Sequence, residues 1–185
     1  MHLRLFLSLT AVLVVPWNVN AAPKKSVAKE VRRTVVDYFR LLPRDAGIFE
    51  AENRESLIGR DVPHLIDRKN DYMQVMGDGA QPSFQIAVFR YRGRDLVAVS
   101  SDSRVGDYSF NLWRFDKRRW KKVTSSVSSL ILAKDDNLHF VLPRYGTTIK
   151  VFRHNGTLAA QLFWENGSFG AKNFDPLGHR IDGPS

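Results

Sequence analysis

The chain has 185 residues, a formal net charge of +9 and no cysteine. Without cysteine, a disulfide scaffold, a thiolate metal site and a cysteine nucleophile are all excluded. The excess of Lys and Arg, 28 against 19 acidic residues, favours anionic partners such as phosphate-rich headgroups, cell-wall polymers or nucleic acid, and serves solubility equally well.

In chain order, Arg4, the uncharged and mostly apolar run Leu5 to Val15, and the small residues Val19-Asn20-Ala21 have the layout of a signal peptide cleaved after Ala21. The run is too short to span a hydrocarbon layer of ~30 Å. The expected organisation is a cleaved leader over 1–21, a single domain over 22–174 and an irregular Pro- and Gly-bearing tail over 175–185. An exported chain free of cysteine suits the bacterial periplasm or a secreted protein, soluble after cleavage.

Ser26 can cap a helix running to about Leu42, because Val27, Val31, Val35, Tyr38 and Leu42 recur at spacings of three and four and Pro43 stops it. A second, shorter helix is expected around Ala51 to Ile58, ended by Gly59. From His64 the period changes to two. His64 to Lys69 and Tyr72 to Met76 flank an Asn70-Asp71 turn, and Phe84 to Tyr91 and Leu96 to Ser101 flank Arg92-Gly93-Arg94. The Ser-rich connection Ser125 to Ser129 reads as a loop or one helical turn. Asn155-Gly156 and Asn166-Gly167 each separate strand-like runs and predict hairpins, since Asn and Gly best tolerate the positive φ of a type I′ turn. These elements predict an α+β fold: one or two amino-terminal helices packed on a curved, mostly antiparallel sheet of about eight to ten strands.

"DRKNDYMQVMGDGAQPSFQIAVFR" (Asp67 to Arg90) together with "LPRYGTTIKV" (Leu142 to Val151) resembles a pattern in small exported bacterial proteins of uncharacterised function. The resemblance implies export and carries no activity or active site.

Catalytic patterns are not found. Asp61, Asp67, Asp71 and Asp78 cluster with His64, but no spacing places two of them on one site. His64, His139, His154 and His179 form no ligand-spaced unit, Ser100, Ser101 and Ser103 lack a nucleophile elbow, and Gly77-Asp78-Gly79 is a turn rather than a phosphate loop. No catalytic residue, cofactor or metal ligand is therefore expected.

The strongest functional signal is "NLWRFDKRRWKKV" (Asn111 to Val123). A turn at Asp116-Lys117-Arg118-Arg119 would pair Phe115 with Trp120 across a hairpin. In one reading Trp113, Phe115 and Trp120 enter the core while the cations meet water. In the other, Trp113, Arg114, Lys117, Arg118, Arg119, Trp120, Lys121 and Lys122 form a binding surface for an anionic envelope polymer, lipid headgroups or a protein partner, each cation near an anionic membrane contributing ~1 kcal/mol. Nucleic acid is disfavoured by the expected export and the lack of a recognition motif. The functional expectation is an exported, non-enzymatic binding protein, with a hydrolase or small-ligand carrier using a pocket between helix and sheet as the alternative.

Overall fold

The computed structural model describes residues 32–48, 54–59, 62–77, 82–102, 108–116, 119–133 and 137–181. The leader, the Ser26 cap with Val27 and Val31, the start of the expected second helix at Ala51, Asp61, Asp78, Ser103, and the hairpin-tip residues Lys117 and Arg118 lie outside them. The described residues fall in the unit Arg32–Ser185.

Eleven strands are found among the described residues, in two antiparallel meanders. The first sheet is ordered along the chain as β1 (His64–Asp67), β2 (Tyr72–Val75), β3 (Ser83–Tyr91), β4 (Arg94–Asp102), β5 (Tyr108–Asp116) and β6 (Arg119–Lys122). The second comprises β7 (His139–Val141), β8 (Thr148–Phe152), β9 (Leu158–Glu165), β10 (Ser168–Phe174) and β11 (Arg180–Ile181), again with sequence neighbours paired. A single helical turn, α2 (Ser125–Ser128), links the sheets, so the Ser-rich stretch is helical rather than loop.

The expected α+β class is overturned: the described fold is mostly β, with one helix of seven residues among the described residues, α1 (Val35–Leu41), and a 3-10 turn at Ser56–Ile58 that ends at Gly59. The reason lies in β3 and β4, where Ile86, Ala87, Val88 and Phe89, and then Leu96, Val97, Ala98 and Val99, are buried at consecutive positions. Successive strand residues point to opposite faces, so consecutive burial means a sheet covered on both sides. One face (Ile86, Val88, Val97, Val99, Trp113) packs under Val35, Phe39, Leu42 and Leu57 from the amino-terminal segment. The other (Ala87, Phe89, Leu96, Ala98, Leu112) packs on Ile149, Val151, Ala160, Leu162 and Trp164 of the second sheet. Stacked Phe110 and Phe140 rings, 4.1 Å apart, bridge the two sheets.

The long amino-terminal helix is also corrected. Thr34 has extended backbone (φ −86, ψ 169), its hydroxyl accepts from the Asp37 amide, and the Asp37 carboxylate accepts from the Thr34 amide at 2.7 Å. This capping box starts α1 at Val35 and interrupts any helix arriving from Ser26. At the far end the buried Arg54 guanidinium donates to the carbonyls of Phe39, Leu42 and Pro43, satisfying groups the helix leaves unpaired.

Candidate functional site

The β5–β6 hairpin pairs as expected: Phe115 faces Trp120 and Arg114 faces Lys121, with the two rings 4.7 Å apart. Its aromatic side belongs to the core. Trp113 is 5% exposed, and Tyr38 meets Phe115 and Trp120 edge-on at 5.6 and 5.9 Å. Trp120 Nε1 donates to the Leu41 carbonyl at 2.7 Å, tying the hairpin to the end of α1. Neither indole is presented to solvent as a free stacking surface.

The cations divide between two faces. Lys122 stands over the Trp113 ring at 5.7 Å on the helix side, beside Arg33, whose guanidinium covers Phe115 at 4.9 Å. Arg114, Arg119 and Lys121 lie on the opposite face, because Arg114 pairs with Leu96, a residue that packs on the second sheet. All four are exposed. Arg94, also exposed, joins the same face one step along β4 from Leu96. Among the described residues, the side chains of Arg94, Arg114, Arg119 and Lys121 make no ion pair or hydrogen bond; Asp116 stands opposite Arg119 in the hairpin register.

Where these cations meet the second sheet, a small cleft of about 120 Å³ opens, lined by Tyr91, Arg94, Leu96, Arg114, Trp164 and the Asn166-Gly167 turn. Asn166 and Gly167 have φ of +50 and +84, the type I′ geometry that lets β9 and β10 close tightly. A Cβ on Gly167 would sit 2.5 Å from Tyr91 Cδ1, so the turn rests directly on that ring. Arg92 stacks over Tyr91 at 5.2 Å, and Trp164 packs on Phe89 and Phe169. The rings of the cleft are thus engaged with protein, and its charged groups are the guanidinium ions of Arg94 and Arg114, beside the Asn166 amide.

A second group of arginines has the opposite character. Arg90 makes a fork with Asp71, Nε to Oδ2 at 2.6 Å and Nη2 to Oδ1 at 2.7 Å, while Nη1 donates to Asp95 Oδ2 at 2.5 Å and Nη2 to the Arg33 carbonyl at 2.6 Å. Arg32 adds a bond of 2.5 Å to Asp71, and the Tyr38 hydroxyl donates to Asp95 at 2.5 Å. Burial works to lower the Arg90 pKa; the Asp71 hydrogen bonds and both carboxylate charges outweigh it and raise it. A cavity of about 310 Å³ lies beside this cluster, between Arg32, Asp71 and Arg90 on one side and Thr147 and Trp164 on the other.

The acid and histidine candidates are dispersed. Asp67 is held down to about 2 by hydrogen bonds from Asn70 and Arg144, while His64 Nδ1 contacts the Val62 carbonyl at 2.7 Å. His139 stacks on Tyr108 at 4.7 Å, and His179 sits in a turn with Asp175 at 3.1 Å. No cluster of three or more metal-ligating side chains occurs among the described residues. No described helix is long and apolar enough to cross a membrane. Sequence reasoning missed Arg94, Tyr91, Trp164 and Asn166. The period of two from Leu96 was a usable signal for Arg94, whereas the approach of the Asn166-Gly167 turn crosses from one sheet to the other and leaves no local pattern. The chain matches no protein-family model, no curated protein and no solved structure.

Proposed function

We propose that the protein is an exported, non-enzymatic binding protein whose β5–β6 hairpin contacts an anionic partner: an envelope polymer, a lipid headgroup surface or an acidic protein face. The observation that carries this reading is the state of the cations. Arg114, Arg119 and Lys121 project on one face with no bound carboxylate among the described residues, whereas Arg32, Arg40, Arg90 and Arg144 are each ion-paired. Unpaired cations closer together than the Debye length of ~8 Å at physiological salt act as one field on an approaching anion. The cations also protect β6, an edge strand, from pairing with another chain. Binding separates the two roles. A variant with Lys117, Arg118, Arg119, Lys121 and Lys122 changed to serine should lose most of its affinity for anionic vesicles or polymer and show a shallower salt dependence. Unchanged binding in that variant removes the hairpin as the contact surface.

A small-ligand carrier is the second reading, supported by the cavity beside Arg90, whose volume of about 310 Å³ reaches the lower end of the ~300–1,000 Å³ typical of small-molecule sites. Its two arginines are already balanced by Asp71 and Asp95, which favours an uncharged polar ligand. A thermal-shift screen of neutral metabolites and sugars, without any shift, removes this reading.

A further inference from the structure

We propose that the cleft at Arg94 and Arg114 is a subsite for a single phosphate group of a phosphate-bearing polymer, which deepens the hairpin reading above and rests on it. The two arginines stand on neighbouring strands in diagonal positions, since Leu96 pairs with Arg114 and Arg94 is the next residue on Leu96's face. Diagonal neighbours of this kind lie ~7–8 Å apart, within joint reach of long side chains. Both line the same cleft, and among the described residues neither has a side-chain partner.

Three properties select the ligand. The volume of about 120 Å³ is under half of the ~300 Å³ at which small-molecule pockets begin, so the cleft admits a compact anionic group and excludes the ring that carries it. Its aromatic rings are covered: Arg92 lies over Tyr91, the Asn166-Gly167 turn rests against it, and Trp164 is packed against Phe89 and Phe169. A ligand therefore finds no free π-face for a sugar or a base, and a neutral polysaccharide would gain hydrogen bonds there without any charge pairing. Finally, a carboxylate offers two oxygens in one plane, and at Asp71 the Arg90 fork takes both while Arg32 adds a bond to Oδ2; a phosphate group offers its oxygens in tetrahedral directions, which suits two guanidinium groups arriving from diagonal positions. Arg119 and Lys121 extend the same face outward and would follow the next charges of a polymer. No exposed large apolar side chain lies on the described part of this face, which favours a soluble chain over insertion into a bilayer.

The full chain, as exported, is titrated with linear polyphosphate, polyglutamate, dextran and vesicles containing anionic phospholipid. Wild type should bind polyphosphate best and dextran not at all. Arg94→Ser with Arg114→Ser should lower polyphosphate affinity by about tenfold or more while polyglutamate affinity falls by less than about threefold, a difference of some 0.7 kcal/mol or more. Arg119→Ser with Lys121→Ser should weaken both polyanions alike. Equal losses on both polymers in the Arg94 and Arg114 variant overturn the subsite and leave the hairpin reading standing. Tighter binding to vesicles than to polyphosphate overturns the choice of a polymer. A wild-type protein that binds no polyanion overturns the hairpin reading and the subsite together. All four positions are exposed, and an unchanged unfolding midpoint verifies that loss of binding is not loss of fold.

Discussion

Arg90 and Arg94 belong to one hairpin, joined by the turn Arg92-Gly93, and end in opposite electrostatic situations. Arg90 points to the face covered by α1, where two carboxylates, a backbone carbonyl and a buried tyrosine close around it. Arg94 points to the other face, at the rim of the second sheet, where no side chain among the described residues answers its charge. A guanidinium taken partly out of water must be matched by acceptors or it destabilises the fold; one left in water need not be matched and stays available to an outside ligand. The two groups therefore carry different work: Arg90 fixes the amino-terminal segment to the first sheet, and Arg94 with its neighbours presents charge.

The sharpest way to break this contrast is to remove Arg90. Arg90→Met takes the fork from Asp71 and the cation from Asp95, whose side chains are 8% and 15% exposed, leaving them the bonds from Arg32 and Tyr38, and should cost about 3 kcal/mol in denaturant unfolding. Arg119→Ser with Lys121→Ser should stay within about 0.5 kcal/mol of wild type; similar losses in both would erase the distinction. Next in size, Gly167→Ala places a Cβ 2.5 Å from the Tyr91 ring at φ +84, a clash and a backbone strain together worth about 2 kcal/mol. Tyr91→Ala in the same chain should recover the steric part in a double-mutant cycle, and additivity of the two changes would show that the turn does not rest on the ring.

The smallest effect concerns the alkaline range. Burial, with the hydrogen bond to Asp95, pushes the Tyr38 hydroxyl up to about 12 from 10.0. Because the folded value lies above the ordinary one, the stabilisation from the neutral phenol is complete below pH 10 and is lost as pH rises from about 10 to 12. Tyr38→Phe should flatten that limb of the unfolding midpoint against pH; an identical limb in the variant would assign the loss to other groups.

Local signals carried the hairpins well. The turns at Asn70-Asp71, Arg92-Gly93, Asn155-Gly156 and Asn166-Gly167 all lie between paired strands; Asn166-Gly167 has positive φ at both residues as a type I′ turn requires, whereas at Asn155-Gly156 only the glycine does, so that hairpin closes by a different turn. Phe115 opposite Trp120 followed from the same kind of counting. The helix at Thr34 was misread although its signal, a Thr followed three residues later by Asp, was present: an apolar stripe at helical spacing masked a capping box. The fold class failed for a related reason, since a period of two from His64 onward describes a sheet with one covered face, whereas β3 and β4 are buried at consecutive positions and so carry a layer on each face.

Alternation of side chains along a strand made it predictable that Arg114, Arg119 and Lys121 would share one face and the hairpin's rings the other. Which face would be covered, and by what, depended on the second sheet folding back over Leu96 and Leu112 while stopping short of Arg94. That stopping point arises from Tyr91 and Gly167, residues far apart in the chain, meeting in space. A local pattern records the direction of a side chain, whereas the burial of its charge is set by whichever distant segment arrives there, and only the folded arrangement leaves Arg90 enclosed and Arg94 in the open.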